Sequence, residues 1–333
     1  MNISNFSLSN SKTSFFIFLW LIISPSVNAN LSDNTIRIAV SKSPLSAPFI
    51  IAQHNGYFNE AGLNVAFDYY NGGHRAIKAL FSGDAEIATS SEAVVMFNSF
   101  KRQDFSLFCT FVTSDNDVKI LTHTDSGILN LQQLKGKKVG TILGSSAHFF
   151  LSQTLLMNGI NSKDVHISSV NPENSYKMLN KQNLDAIVTW EPHAYLGKKE
   201  LGNKARFIEH DRVYIETFNA ISMRDYAENN ADKLASVTRS LIKATDFIKK
   251  HPLISQNIIA KNLNKEAHII TATWKDYSFS ISLDQWLLTS LEAEARWAIE
   301  QNFTTAKDVP DYTEFINIAP LKKASPQNVF IFQ

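Results

Sequence analysis

Two stretches of the sequence repeat one order of strand, turn, helix and strand, and this repetition constrains the fold more than any other feature. Residues 62–91 (GLNVAFDYYNGGHRAIKALFSGDAEIATSS) and 159–191 (GINSKDVHISSVNPENSYKMLNKQNLDAIVTWE) each begin with Gly, an apolar residue and Asn. Each stretch ends in an acid-bearing apolar strand, which reaches Thr89 in the first and Thr189 in the second. The period is too long for a solenoid, and alternating strands and helices are typical of α/β proteins with parallel sheets. We therefore predict an α/β fold with two lobes of one design.

Apolar runs bounded by turn residues predict the individual elements. Strands are predicted at 35–42, 63–70, 85–91, 105–112, 137–143, 164–170 and 184–190. Helices are predicted at 47–55, 74–83, 92–102, 146–158, 173–182 and 192–201. The C-terminal third contains two further helical stretches, at 232–252 and 292–302.

The first 29 residues have the composition of an export signal. Lys12 is their only charged residue, and the apolar core FFIFLWLII ends at a Ser-Pro pair. The small residues of VNA then favour cleavage before Asn30. An uncleaved membrane anchor is the alternative, but the nine-residue core is about half of the roughly 20 residues that a span needs. The segment predicts a mature protein in the periplasm.

The charge balance excludes several classes of partner. The chain has 32 Lys and Arg residues against 31 Asp and Glu residues, and removal of the signal segment takes away one Lys and no acid. Nucleic-acid and anionic-lipid surfaces need a basic excess, so neither partner is expected.

Motifs for catalysis or metal binding are not found in the sequence. Cys109 is the only cysteine and lies in the apolar run FSLFCTF, which predicts a buried structural thiol. His74 and His148 each lack a neighbouring carboxylate or His at ligand spacing, so no metal site is predicted. The GxSxG, HExxH, Walker A and dinucleotide fingerprints are absent from the sequence, and no cofactor is expected.

Polar residues follow the predicted strands at five places. In open α/β sheets, ligands bind outside the carboxyl ends of strands, where the strand order switches. The strand-end segments 41–46, 71–74, 89–91, 144–147 and 189–191 are rich in Ser, Thr, Gly or a single charged residue. Plain turns also have this composition. Five such segments at strand ends favour a ligand-binding cleft.

The start of the helix predicted at 146–158 is the most specific of these segments. Gly144, Ser145 and Ser146 place free N–H groups at the positive end of a helix dipole, which suits an anion or a polar oxygen. An ordinary Ser N-cap without a ligand is the alternative.

Two residues at the end of the strand predicted at 184–190 have chemistry that suits other ligand groups. Trp190 can cover an alkyl chain or stack on a ring, although lobe packing would also explain it. Glu191 would suit an ammonium or amino-pyrimidine donor, and a solvated acid or a helix N-terminal charge is its alternative. Because Pro192 follows, the backbone at Glu191 is expected to be extended.

Four segments occur in a familiar order: APFIIAQHNGYFNEAGLNV, ALFSGDAEIATSS, LQQLKGKKVGTILGSS and LDAIVTWEPH. Over about residues 35–250 they resemble the substrate-binding proteins of ABC importers for taurine, alkanesulfonates, nitrate and thiamine-type pyrimidines. The resemblance implies a bilobed, class II periplasmic-binding fold with two hinge crossovers, at about 112–124 and 212–224. Lobe one would comprise 30–117 and 222–333, and lobe two would comprise 118–221.

The resemblance also implies a function and a set of contacts. The protein would be a monomer that captures a small polar or anionic organic molecule between its lobes and delivers it to an inner-membrane ABC permease, without catalysis. Trp274, Trp286 and Trp297 would belong to the core, and Asn219 would be a contact on the return crossover. The expected ligand-binding residues are Ser43, Leu45, Ser46, His74, Thr89, Ser90, Ser91, Gly144, Ser145, Ser146, Trp190, Glu191 and Asn219.

Other functions are known on a fold of this kind. A pyrimidine-synthesis enzyme that shares the fold consumes its own histidine with iron and pyridoxal phosphate, but that family carries a cysteine-rich cluster and this chain has one Cys. A ligand-sensing module is the other alternative.

An anion-specific pocket would be expected to contain an Arg, and the candidate loops lack one apart from Arg75.

Overall fold

The structure, a computed structural model, describes residues 35–181 and 183–331. The predicted signal peptide at 1–29 lies outside the described residues. Within them, no helix is both long enough and apolar enough to cross a bilayer.

The larger sheet has seven strands in the order β12-β11-β4-β10-β3-β1-β2. Its strands are β1 (Thr35–Ser41), β2 (Asn64–Tyr70), β3 (Ile87–Ser91), β4 (Phe105–Ser114), β10 (Glu216–Met223), β11 (Ser278–Asp284) and β12 (Val329–Phe330). β1 pairs in parallel with β2 and β3, whereas β10 pairs antiparallel with β3 and β4. We call this sheet and the helices packed on it the first lobe.

The smaller sheet has five strands in the order β7-β6-β8-β5-β9. Its strands are β5 (Val118–His123), β6 (Lys138–Thr141), β7 (His166–Ser169), β8 (Ala186–Trp190) and β9 (Ala205–Ile208). β6 pairs in parallel with β7 and β8, whereas β5 pairs antiparallel with β8 and β9. We call this sheet and its helices the second lobe.

Both sheets are therefore mixed, and the prediction of parallel-type sheets is wrong in this respect. The chain passes directly from β4 to β5 and from β9 to β10 without a helix that would return it to the opposite edge. A strand that enters a sheet in this way starts where the parallel strands end, so it must run in the opposite direction. The two crossovers thus account for the antiparallel pairs made by β5 and β10.

Helices cover both sheets. In the first lobe they are α1 (Ala47–His54), α2 (Tyr57–Glu60), α3 (Gly73–Phe81), α4 (Glu92–Ser99), α8 (Arg224–Asn229), α9 (Ala231–Lys250), α10 (Pro252–Leu263), α11 (Ala267–Trp274), α12 (Gln285–Glu300) and α13 (Ala319–Ala324). In the second lobe they are α5 (Ser146–Met157), α6 (Ser175–Asn180) and α7 (His193–Leu201). The helices predicted at 232–252 and 292–302 correspond to α9 and to the C-terminal part of α12.

The elements predicted between 35 and 201 are found within a few residues of their predicted ends. β5 and β10 were not predicted, because they lie in the segments predicted as crossovers at 112–124 and 212–224. The actual crossovers are shorter, at 115–117 and 209–215. Buried backbone N–H and C=O groups need hydrogen-bond partners, and the sheets supply them. Most of each segment predicted as a crossover is therefore a strand.

The core confirms the prediction for Cys109, which is fully buried in β4, and burial raises the pKa of its thiol. Trp297 is also buried, and Trp274 packs partly buried against the core. Trp286 is 49% exposed, so its assignment to the core is wrong. It lies on α12 directly before Leu287 and Leu288, which are both buried, and the helical period turns its side chain toward solvent.

Candidate ligand-binding site

The two crossovers bring the strand-end segments of both lobes to facing edges. β1, β3 and β4 end at the edge of the larger sheet where β10 begins. β6 and β8 end at the edge of the smaller sheet where β5 begins. The segments 41–46 and 89–91 of the first lobe therefore lie at the end of the larger sheet from which the chain crosses, and 144–147 and 189–191 lie at the corresponding end of the smaller sheet.

The first-lobe residues are largely bonded to one another. The hydroxyl oxygen of Thr89 accepts the N–H of Ser41 at 2.8 Å and lies 3.3 Å from the hydroxyl oxygen of Ser46. Both Thr89 and Ser46 are fully buried. Ser43 accepts the N–H of Leu45 at 3.2 Å, which caps a short 3₁₀ turn. These three contacts fix the loop after β1.

Ser90 lies where α3 meets β3, and its buried hydroxyl has no hydrogen-bond partner within the described residues. A Cβ added at Gly73 would lie 2.4 Å from the Ser90 hydroxyl oxygen and 2.9 Å from its Cα. Helix and strand therefore approach more closely here than any side chain at Gly73 allows. His74, the next residue, is exposed, and desolvation followed by the charges of Arg75 and Lys78 lowers its pKa.

We expect Gly73→Ala to lower the free energy of unfolding by roughly 1–3 kcal/mol, because the new methyl group overpacks the contact with Ser90. Urea denaturation of the variant and wild type measures this difference. Ser82→Ala, at the end of the same helix, is the control with little expected effect. Unchanged stability of Gly73→Ala would mean that the helix start moves freely away from the strand.

Ser91 and Asn219 have different surroundings. Ser91 is buried at the N-cap position of α4, but its side chain makes no capping hydrogen bond. Asn219 is fully buried in β10, where its amide oxygen accepts the Thr110 hydroxyl at 2.6 Å and its NH₂ donates to the Thr217 hydroxyl at 2.9 Å. The polar atoms of Asn219 are thus engaged within the sheet.

The helix start at 144–147 is not a plain cap. Gly144 has φ +70°, and an added Cβ would lie 3.7 Å from the ring of Phe97 on α4 of the other lobe. Ser145 is the N-cap residue of α5, but its hydroxyl donates to the carbonyl of Ile142 at 2.5 Å and makes no capping bond. Ser146 is buried, and its hydroxyl lies beside the carboxyl of Glu216 on β10, where it partly offsets the rise in the pKa of that group caused by burial. The N-terminus of α5 therefore faces a carboxyl group of the same chain.

Trp190 and Glu191 end β8. Trp190 is half-buried against the core, with its ring 6.4 Å from that of His193. Glu191 is only 3% exposed, so the alternative of a solvated acid is wrong. One of its oxygens accepts the N–H of Tyr195 at 2.8 Å in the first turn of α7, and the other lies 3.9 Å from the Lys119 ammonium. Burial raises the pKa of Glu191 to about 8.

Sequence reasoning missed most of the acidic residues at this junction. We call six buried or nearly buried side chains at the facing edges and crossovers the interlobe carboxyl cluster: Glu92, Asp117, Glu191, Glu216, Asp276 and Glu294. They come from elements far apart in the sequence, and five of them lie outside the strand-end segments that were considered. The burial of Glu294 could have been predicted, because the helical period of α12 places this acid on the apolar face between Leu291 and Trp297.

Glu92, Glu216 and Glu294 form the part of the cluster next to α5. Glu92 accepts hydrogen bonds from the hydroxyl of Tyr214, from the N–H of Thr217 at 2.6 Å and from the hydroxyl of Thr217 at 3.0 Å. Glu294 lies near Glu92, whose charge adds to the effect of burial and raises the pKa of Glu294. Burial is the main cause that raises the pKa of all three groups.

Asp117, Asp276 and Glu191 form the part next to α7. Asp276 is 2.9 Å from the Lys119 ammonium. Asp117 lies on the first crossover, accepts the hydroxyl of Tyr277 at 3.0 Å and contacts Glu216, which joins the two parts of the cluster. Burial raises the pKa of Asp117 to about 6. In the described residues, Lys119 is the one basic side chain within 4 Å of these carboxyls.

The described residues contain no group of three or more His, Cys, Asp or Glu side chains arranged to hold a metal ion. His148 packs edge-on, with ring centroids 5.2 Å from both Trp297 and Phe303, and burial lowers its pKa to about 4. It is therefore a neutral ring in an aromatic contact between α5 and α12.

Comparison with known proteins identifies the family. The family model described as NMT1/THI5 like matches residues 43–253. The chain belongs to the NMT1/THI5-like family. It is similar to a protein of Bacillus subtilis (strain 168) named for the binding of aliphatic sulfonates, at 25% identity over 226 residues, 65% of this chain. The match covers 66% of that relative, just under two thirds of its length.

Solved structures show the same fold. The periplasmic aliphatic sulphonate binding protein SsuA from Escherichia coli matches with a TM-score of 0.75 at 18% identity, over 85% of this chain and 97% of that one. The desulfurization enzyme DSZB matches with a TM-score of 0.67 at 14% identity, over 88% of this chain and 99% of that one. The fold is therefore the bilobed periplasmic-binding fold, and both binding proteins and an enzyme are built on it.

Proposed function

We propose that the protein is an extracytoplasmic solute-binding protein that captures a small polar molecule between its lobes and delivers it to the permease of an ABC importer. The observation that carries the proposal is the convergence of buried polar groups from both lobes at the crossovers. Ser146 of the second lobe lies beside Glu216 of the first, and Lys119 of the second lobe forms an ion pair with Asp276 of the first. The relatives named above support the same class of function.

The two crossovers suit a hinge, because within residues 35–181 and 183–331 only 115–117 and 209–215 connect the sheets. A ligand that contacts both lobes would favour a closed arrangement over an open one. Release to the permease would follow when the lobes separate. Cys109 supplies no nucleophile at the facing edges, since it is buried within β4. Ligand capture without chemistry is the function that we propose.

Native mass spectrometry of freshly purified protein tests capture. We expect a fraction of the protein to carry a small molecule that denaturation releases. When the released compound is added back to ligand-free protein, small-angle scattering should show a smaller radius of gyration. Denatured and refolded protein without the compound is the control. Absence of any retained compound in protein purified from its native host, or an unchanged radius at saturation, would contradict a hinged solute-binding protein.

We further propose export to the periplasm with cleavage near Asn30. N-terminal sequencing of the protein from a periplasmic extract is expected to begin at or next to this residue. Recovery of the chain in the membrane fraction with residues 1–29 retained would contradict the proposal.

A further inference from the structure

The charge at the lobe junction is opposite to that of a site for an anion. The interlobe carboxyl cluster contributes six carboxyl groups, whereas Lys119 contributes one ammonium that is already bound to Asp276 at 2.9 Å. The other basic side chains of the strand-end segments, Lys42 and Arg75, are exposed. Buried acids without cationic partners are costly unless they keep protons or meet a cation.

Several oxygen atoms of the cluster lack a donor. Within the described residues, neither oxygen of Glu294 has a hydrogen-bond donor, and one oxygen of Glu216 also lacks one. Glu294 is fully buried and Glu216 is 6% exposed. Buried acceptors in folded proteins are almost always bonded, so these atoms require either shared protons or N–H donors from a bound molecule.

A hydroxyl outside the cluster also lacks a partner in the described part of the chain, on the side of the cluster next to α7. Thr189 is fully buried, and its hydroxyl has no partner within the described residues. The antiparallel register pairs it with Lys119, so both side chains leave the same face of the smaller sheet. On that face the Lys119 ammonium reaches Asp276 and approaches Glu191. An unbonded hydroxyl thus adjoins the α7 side of the cluster.

The N-terminus of α5 does not suit the binding of an anionic ligand. The carboxyl group of Glu216 lies beside Ser146 at this helix start. A ligand sulfonate at the same N–H groups would lie against that carboxyl and be repelled if both were ionised. A ligand with donors would instead be attracted by the same carboxyl.

We propose that the ligand presents a primary ammonium or an amidinium group, held by the interlobe carboxyl cluster with Glu216 and Glu294 as its first acceptors. The inference rests on the solute-binding function proposed above and names the ligand class. Such groups carry N–H donors for the unbonded oxygens and a positive charge for the excess of carboxyls. The cluster is buried, so the ligand would enter when the lobes separate and be enclosed when they close.

Matched small molecules of different charge test the ligand class. Thermal melting of the ligand-free mature protein near neutral pH is followed with ethanolamine, ethylene glycol and 2-hydroxyethanesulfonate, and with benzamidine, benzamide and benzenesulfonate. At a hundredfold excess over its dissociation constant, a bound cation should raise the melting temperature by roughly 5 °C. The neutral and sulfonate members of each set should leave it unchanged.

The pattern of melting-temperature shifts across these compounds supports or overturns the proposed ligand class. A shift from ethanolamine or benzamidine alone within its set supports it. A shift from the sulfonate members alone overturns it while leaving the solute-binding function standing. Absence of a shift from both cations also overturns it, and the retained compound sought by mass spectrometry then tests the solute-binding function separately.

Calorimetry of wild-type protein gives a second readout that needs no variant. Binding of a cation to carboxyls that share protons should release protons, so the measured enthalpy should vary with the ionisation enthalpy of the buffer. Proton uptake, which an anion would cause, overturns the inference.

Variants then locate the contact. Glu294→Gln and Glu216→Gln should each lower the affinity for the responding cation roughly tenfold or more, since each removes a charge-assisted hydrogen bond. Glu292→Gln, on the same helix but at its solvent side next to Arg296, is the matched control and should leave affinity unchanged. Equal affinities in all three variants overturn the assignment, and near-ultraviolet circular dichroism verifies that each variant is folded.

Discussion

Raising the pH from about 5 to about 8 is expected to lower the free energy of unfolding by roughly 3–4 kcal/mol through Glu191 alone. Burial raises the pKa of this carboxyl from 4.5 to about 8, so the folded state binds its proton more tightly than the unfolded state. Its stabilising contribution is complete below about pH 4.5 and is lost as the pH rises through about 8. Asp117 acts in the same direction between 3.8 and about 6.

Urea denaturation across this pH range measures the effect. Glu191→Gln cannot lose a proton and keeps a carbonyl oxygen for the N–H of Tyr195, so its stability should fall much less as the pH rises. Glu292→Gln should retain the wild-type slope. Wild-type stability that is constant or increases from about pH 5 to about pH 8 would contradict the buried, protonated state of Glu191.

Lys119→Met is expected to lower the free energy of unfolding by roughly 3–5 kcal/mol near neutral pH, because it leaves Asp276 buried without its cation. The ammonium lies 2.9 Å from Asp276, and the side chains are 12% and 5% exposed. The loss should shrink in acid, where the nearby carboxyls are protonated and need no counter-charge.

Lys199→Met is the matched control. Lys199 also pairs with an acid, Glu266, at 3.7 Å, but both side chains are about half exposed or more, and such pairs contribute little. Chemical denaturation of both variants near pH 7 and in mild acid distinguishes the two environments. Equal stabilities of Lys119→Met and wild type would show that the carboxyl cluster tolerates loss of its ammonium.

The candidate site was predictable where it depends on strand ends. The segments 89–91 and 189–191 could be placed at facing edges because the carboxyl ends of strands are local features of the chain. The bonding of individual side chains was not predictable. Ser145 bonds to a carbonyl of its own loop, and Ser146 lies beside Glu216, which is 70 residues further along the chain.

The alternation of strands and helices, the burial of Cys109 and the resemblance to a family of bilobed proteins could all be inferred from the amino-acid sequence. These properties follow from local hydrophobic periodicity and from short segments whose order is retained. The mixed character of both sheets became evident only in the folded protein, since strand direction depends on where the chain crosses between them. The character of the junction also depends on the tertiary structure, because the acids at positions 92, 117, 191, 216, 276 and 294 become one cluster only when the crossovers and α12 meet there. Electrostatic interactions depend on distance in space and on burial, and neither is encoded by spacing along the chain.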